Sequence, residues 1–169
     1  AGKGDTFLAD VVDAWEKEAE KAEEYGCRTV IVRTGTILGK GGFLAPFLKM
    51  TRFHILGKMT KKDFFLPWIH INDIVRVYVF ALETTTLQGV VNAVSPTQTT
   101  SGELFSKLAK ITKSFIFGVL PLQKILFGEM IHGVSTSQKV IPQRLLDKGF
   151  AFAFTDIATT LETIIHETK

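Results

Sequence analysis

The chain has 169 residues, 46% hydrophobic and 22% charged, with a net charge of +3. This is enough for one domain with a real core, in an ordinary globular composition that excludes a long disordered chain or a coiled coil. The charge is uneven, with eight acidic and four basic residues in 1–28 and a diffuse basic excess beyond, a balance that does not argue for nucleic acid and suits an anionic small ligand or none. Cys27 is the single cysteine, so an internal disulfide is excluded and a reducing compartment is favoured. The apolar run Phe115 to Leu122 falls far short of the roughly 20 residues that span a bilayer. Ala1 to Asp5 has no apolar signal region. The expectation is a soluble, cytoplasmic chain without a membrane partner.

Phe7, Leu8, Val11, Val12, Trp15, Ala19 and Ala22 recur at helical spacing and predict an amphipathic helix with one buried stripe, closed by Gly26. Cys27 lies between that cap and a strand, and reads as structural rather than nucleophilic. Thr29 to Arg33 is a β-branched run that predicts a strand buried on both faces. It leads into a glycine-rich loop, Thr34 to Gly42, at the strand's C-terminal end, where open α/β sheets bind ligands. The loop is neither a Walker loop nor a GxGxxG turn opening a helix, and its glycines serve a plain turn equally well. Phe43 to Phe53 predicts a short helix. Lys40, Lys49, Arg52, Lys58, Lys61 and Lys62 make 40–62 the most basic part of the chain, with no acid before Asp63. That stretch reads either as an anion-binding lid or as a solvated surface loop.

The stretch Phe64 to Asp73 gathers aromatics, Pro67, His70 and a carboxylate ahead of a helix. Pro67 marks the entry to a strand over Trp68 to Ile71, with Trp68 and His70 on one face and Ile69 and Ile71 on the other. Asp73 is placed to cap the following helix. The stretch is either a buried strand-turn-helix joint or a cleft wall that presents an indole and an imidazole. Ile74, Val77, Tyr78, Ala81 and Leu82 predict the helix. Gln88-Gly89 turns the chain into a buried strand over 90–94. Thr100 and Glu103 are spaced as a capping box before a helix with Leu104, Phe105, Leu108 and Ile111 on its inner face. Phe115 to Pro121 is short and apolar, and a helix is expected over Leu122 to Ile131. Pro142 and Gly149 bracket another helix. Phe150 to Phe154 alternates as a strand, and Ile157, Leu161, Ile164 and Ile165 predict a closing helix. The four histidines lie apart, without a metal-ligand motif, so no metal site is expected, and no G-x-S-x-G elbow occurs.

Three runs together resemble the extended short-chain dehydrogenase/reductase superfamily: Val30 to Gly39 (VIVRTGTILG), Pro67 to Asp73 (PWIHIND) and Val91 to Pro96 (VNAVSP). Trp15-Glu16, Phe127-Gly128-Glu129 and the run Ser137 to Leu146 (SQKVIPQRLL) bring the resemblance to its atypical branch, the nucleoside-diphosphate-sugar epimerase-like proteins with a C-terminal domain of unknown function. The resemblance covers about Asp5 to Ile165 and implies the C-terminal part of such a protein. The implied fold is α/β: part of a Rossmann-like doubly wound sheet plus a small, mainly helical α/β substrate lobe. Residues 1–96 would be the remainder of the Rossmann-like domain, with a lid inserted at 40–66, and 97–169 the substrate lobe. The implied cofactor is NADP, with Arg33, Thr34, Gly35 and Ile37 at its nicotinamide end. Trp68, His70 and Arg144 would face the substrate cleft.

The chain departs from the family at two motifs. The family's G-x-x-G-x-x-G turn, which cradles the NADP pyrophosphate, does not occur. The catalytic Tyr-x-x-x-Lys pair is replaced in the first helix by Phe7 and Val11, neither of which transfers a proton. No catalytic residue is assigned, and three readings stand: the substrate-lobe portion of an NADP-dependent epimerase or reductase acting on a nucleotide-sugar-like substrate, a catalytically inactive nucleotide- or metabolite-binding module, and a truncated product without independent activity. The strands near 29–33 and 90–94 would expose apolar edges, which predicts poor solubility, a homodimer, or a covering N-terminal half.

Overall fold

The structure, a computed structural model, describes residues 7–58, 62–119 and 137–167. Helix α1 (Phe7–Glu20) passes into a 3₁₀ turn (Lys21–Tyr25) that stops at Gly26, whose φ of 76° only glycine adopts without strain. Strand β1 (Val30–Thr34) follows, then β2 (Thr36–Leu38), α2 (Ala45–Thr51) and β3 (Ile55–Lys58). Strand β4 (Trp68–His70) runs directly into α3 (Ile71–Glu83), and β5 (Gly89–Ala93) leads to α4 (Ser101–Thr112) and β6 (Phe115–Val119). Helices α5 (Gln143–Asp147) and α6 (Ile157–His166) complete the described chain.

The six strands form three parallel pairs: β1 with β5, β2 with β4, and β3 with β6. Parallel pairing requires crossovers, which the helices supply, so the expected α/β class holds. The ladder is broken where the chain steps from the first pair to the second. Gly35 donates its N–H to Ala93 at 3.1 Å, and Thr36 donates to the Pro67 carbonyl at 2.7 Å.

Two hydrophobic cores lie on either side of β4. Ile69 packs with Ile74, Val77, Leu87, Val91 and Leu145, whereas Trp68 packs with Leu38, Phe47, Leu56, Phe105, Leu161 and their neighbours. Alternation along one short strand therefore distributes its side chains between the two cores. Leu44, Phe47, Leu56, Phe64 and Leu66, all within 40–66, belong to the second core. Leu145 and Phe150 return to the first core, so a boundary after residue 96 does not separate one core from the other.

Several local expectations are corrected. The α1 stripe is not buried: Phe7 is 79% and Trp15 71% exposed, and no described side chain of the helix is buried. Strand β1 is half-buried, because its only ladder partner among the described residues is β5. Cys27 is exposed. Strand β4 ends at His70, and Ile71 is already helical. Phe150 to Phe154 is no strand: the N–H groups of Ala153 and Phe154 go to the Asp73 carboxylate rather than to a ladder. The helix expected over 122–131 and the run Phe127-Gly128-Glu129 lie outside the described residues. Among the described residues no helix is long and apolar enough to cross a membrane.

Candidate functional site at the strand ends

In a parallel sheet the C-terminal strand ends share one edge, and the β1–β5 pair ends there at Thr34 opposite Ala93. Gly35 sits just beyond. A Cβ at that position would lie 2.9 Å from both the Pro67 carbonyl oxygen and Val94 Cγ1. Three segments therefore converge without room for a side chain: 34–37, 67–70 and 93–95. Ser95 closes the junction by donating its N–H to the Trp68 carbonyl at 2.6 Å. The register Thr36↔Trp68, Ile37↔Ile69 and Leu38↔His70 sets the two sequence motifs side by side.

The residues at this junction differ in what they offer a ligand. Thr34 is exposed and Ile37 partly so. The Arg33 guanidinium is engaged by Glu16 through two hydrogen bonds, of 2.7 and 2.6 Å, which tie α1 to the end of β1. That hydrogen bond holds the Glu16 carboxyl below the usual carboxylate range, against the opposing effect of burial. Arg33 thus faces an internal acid rather than an open edge.

Trp68 is buried, and its Nε1 donates to Thr99 Oγ1 at 3.1 Å. The crevice beside it holds about 10 Å³, room for no more than one water. His70 is 1% exposed, stacks on Phe154 at 3.7 Å, and accepts the Asn72 N–H at Nδ1. It is therefore the N-cap of α3, the role expected of Asp73. With Nδ1 accepting, the neutral ring carries its proton on Nε2, which meets no hydrogen-bond partner among the described residues. Burial lowers the His70 pKa, while the Asp73 and Glu167 carboxylates act in the opposite direction. Trp68 and His70 belong to the junction as packed members. Arg144 is not brought there. It donates to the carbonyls of Gln88, at 2.7 Å, and Val90, at the N-terminal end of β5.

Two carboxylates organise this region without having been singled out for it. Asp73 is 0% exposed and accepts from Arg76, Ala153 and Phe154. Asp63 accepts from Ser101 Oγ and the Gly102 N–H, both at 2.7 Å, and secures the start of α4. Among the described residues no cluster of His, Cys, Asp and Glu could hold a metal ion.

A family model described as a domain of unknown function (DUF1731) matches residues 121–164. Epimerase family protein SDR39U1 of Mus musculus is 32% identical over 167 residues, which covers 94% of this chain and 55% of that protein. The crystal structure of human epimerase family protein SDR39U1 with NADPH is similar with a TM-score of 0.78 and 28% identity, covering 98% of this chain and 57% of the human one. The nucleoside-diphosphate sugar epimerase of Corynebacterium glutamicum gives a TM-score of 0.76 at 25% identity, over 98% of this chain and 32% of that one. The chain spans about half the length of the curated relatives it matches.

Proposed function

Since this chain belongs to the atypical, epimerase-like branch of the extended short-chain dehydrogenases/reductases and corresponds to the C-terminal part of its longer relatives, we propose that it is the substrate-side portion of an NADP-binding epimerase- or reductase-like protein. The observation that carries this reading is the junction at Gly35. Parallel strands end there side by side, with the exposed Thr34 and Ile37 at the edge where open α/β sheets take their ligands. The human relative solved with NADPH supports the cofactor class.

The residues present fit one end of such a cofactor. Thr34 and Ile37 offer a hydroxyl and an apolar flank, suited to a neutral ring, while Arg33 is committed to Glu16 and offers no free cation to phosphate. Bound NADP would supply hydride transfer. The chain's own part is to position the ring against 34–37 and to keep water from it with the packed Pro67–His70 segment. A nucleotide-sugar-like molecule is the proposed substrate class.

NADPH titration of the 169-residue chain, followed by nicotinamide fluorescence, tests this reading. Saturable binding is expected, weakened by about tenfold in Thr34→Glu, where a longer, charged side chain would occupy the edge that the neutral ring covers and would lose water on binding. Absence of binding removes the cofactor from the reading of this chain.

A second reading, a nucleotide- or metabolite-binding module without turnover, is favoured by the first turn of α1. Phe7 and Val11 stand there at the approximate positions of the superfamily's tyrosine and lysine, and neither moves a proton. NADPH that binds but is not consumed in the presence of nucleotide sugars favours this second reading.

A further inference from the structure

The second lobe contains a cavity of about 520 Å³, open to solvent between α2, the C-terminal end of α4 and the C-terminal end of α6. Its volume lies in the range of small-molecule pockets. It shares no residue with the Gly35 junction, so it stands independently of the function proposed above. The floor is apolar and half-buried, formed by Ala45, Leu48, Ile111 and Ile165. The rim is cationic, with the exposed side chains of Lys40, Lys49, Arg52 and Lys113. Among the described residues no Asp or Glu lines the cavity, and none of the four cations is ion-paired.

The arrangement follows from the two faces of α2. Leu44, just ahead of the helix, and Phe47 and Thr51 within it are buried against the lobe. Ala45, Leu48, Lys49 and Arg52 recur at three- and four-residue intervals and share the neighbouring face, with Thr51 at the border between the two. A concave surface with several positive charges and no counter-charge concentrates a field of one sign, which attracts anions. The hydroxyls at the cavity are already committed as donors. Thr51 donates to the Leu48 carbonyl at 2.9 Å, and Thr112 donates to the Leu108 carbonyl at 2.8 Å. Polar recognition therefore falls to the cations.

A second observation marks the same place. His54 and Lys113, both lining residues, are the non-glycine residues with positive φ among the described residues, at 56° and 53°. They are joined to each other, with His54 Nδ1 3.3 Å from the Lys113 carbonyl oxygen, and the His54 carbonyl accepts the Phe115 N–H at 2.8 Å. Such backbone outliers gather at ligand-holding sites, where the surroundings over-determine them.

We infer that this cavity binds a small organic anion with an apolar body. The phosphate or carboxylate head sits among Lys40, Lys49, Arg52 and Lys113, and the hydrocarbon part lies over Leu48, Ile111 and Ile165. The acid-free basic stretch beginning at Lys40 supplies three of the four cations, and α4 presents the fourth across the opening.

Isothermal titration of the 169-residue chain with hexyl phosphate and with hexanoate tests the inference, beside inorganic phosphate and 1-hexanol. One or both amphiphiles bind at least about tenfold more tightly than either control. Binding of hexyl phosphate alone assigns a phosphate head, of hexanoate alone a carboxylate head, and of both a recognition by charge. Lys49→Gln combined with Arg52→Gln weakens binding by about tenfold or more, while Lys110→Gln, on α4 but outside the cavity, leaves it unchanged. In the unaltered chain, the amphiphile shifts the methyl resonances of Ile111 and Ile165, a readout that needs no variant. The inference is overturned if neither amphiphile binds, if hexanol binds as tightly, if the double variant binds normally, or if those methyl resonances stay in place.

Discussion

The Asp73 carboxylate accepts the amide hydrogen of Phe154 at 2.9 Å, across 81 residues of chain. The same carboxylate accepts the Ala153 N–H at 3.0 Å and the Arg76 guanidinium at 2.7 Å, and it has no exposure to solvent. A buried charge so fully engaged becomes costly when it is neutralised, because one of the two amide donors then faces an NH2 group and the Arg76 guanidinium loses its countercharge. Asp73→Asn is expected to destabilise the fold by about 2–4 kcal/mol, measured by urea unfolding. An unchanged midpoint would show that the latch contributes nothing.

His70 gives the fold a pH dependence of definite sign. Burial lowers its pKa below the ordinary 6.5, and its Nδ1 must stay unprotonated to accept the Asn72 N–H. The fold therefore uses the neutral ring. Its contribution is complete above about pH 6.5 and is lost as pH falls through the lowered folded pKa. Stability measured by urea unfolding between about pH 7 and pH 5 should decline, and His70→Gln should decline less steeply. Parallel slopes for the two proteins would remove His70 as the source.

The close approach at Gly35 can be tested by adding one methyl group. Gly35→Ala sets a carbon 2.9 Å from a backbone carbonyl and a valine methyl, so strand or loop must shift. The expected loss is about 1–3 kcal/mol. Gly41→Ala, where nothing lies within 4 Å of the added carbon, is the matched comparison and should change stability little. Equal thermal midpoints for the two variants would contradict the packed junction.

Exposed apolar faces predict self-association. On α3, Ile71, Val75, Tyr78 and Leu82 form an exposed stripe at helical spacing, opposite the buried Ile74, Val77 and Ala81. Phe7 and Trp15 add a second exposed apolar face on α1. Sedimentation velocity should show a mass average that rises with concentration, and Val75→Lys with Tyr78→Lys should lower it toward the monomer. A monomer at every concentration would contradict the prediction.

The sequence was most legible where one local rule decides the outcome. Gly26 stops the first helix and Thr100 caps α4 as their residue types require. The β-branched runs near 30 and 90 are strands. It was least legible where a distant partner decides. Nothing near Asp73 announces that its carboxylate is reserved for residues 153 and 154, so it reads as a local cap, and the alternating Phe150 to Phe154 reads as a strand. Arg144 lies in a recognisable run, yet its guanidinium serves the carbonyls at the start of β5. The cationic cavity was half visible: the basic run from Lys40 announces charge, but only the fold adds Lys113 and the apolar floor.

The parallel pairing also has a kinetic consequence. A ladder that pairs Val30 with Gly89, or Ile55 with Phe115, joins residues about sixty positions apart, and no hairpin shortens the search. Each pair must wait for a crossover to close before its hydrogen bonds repay the lost chain entropy. Refolding should therefore be slow for a chain of this size, with β2 and β4, nearest in sequence, joining first. Through that interval the aromatic-rich β6 segment has no strand partner, so aggregation during refolding, rather than the final free energy, should limit the yield of native protein.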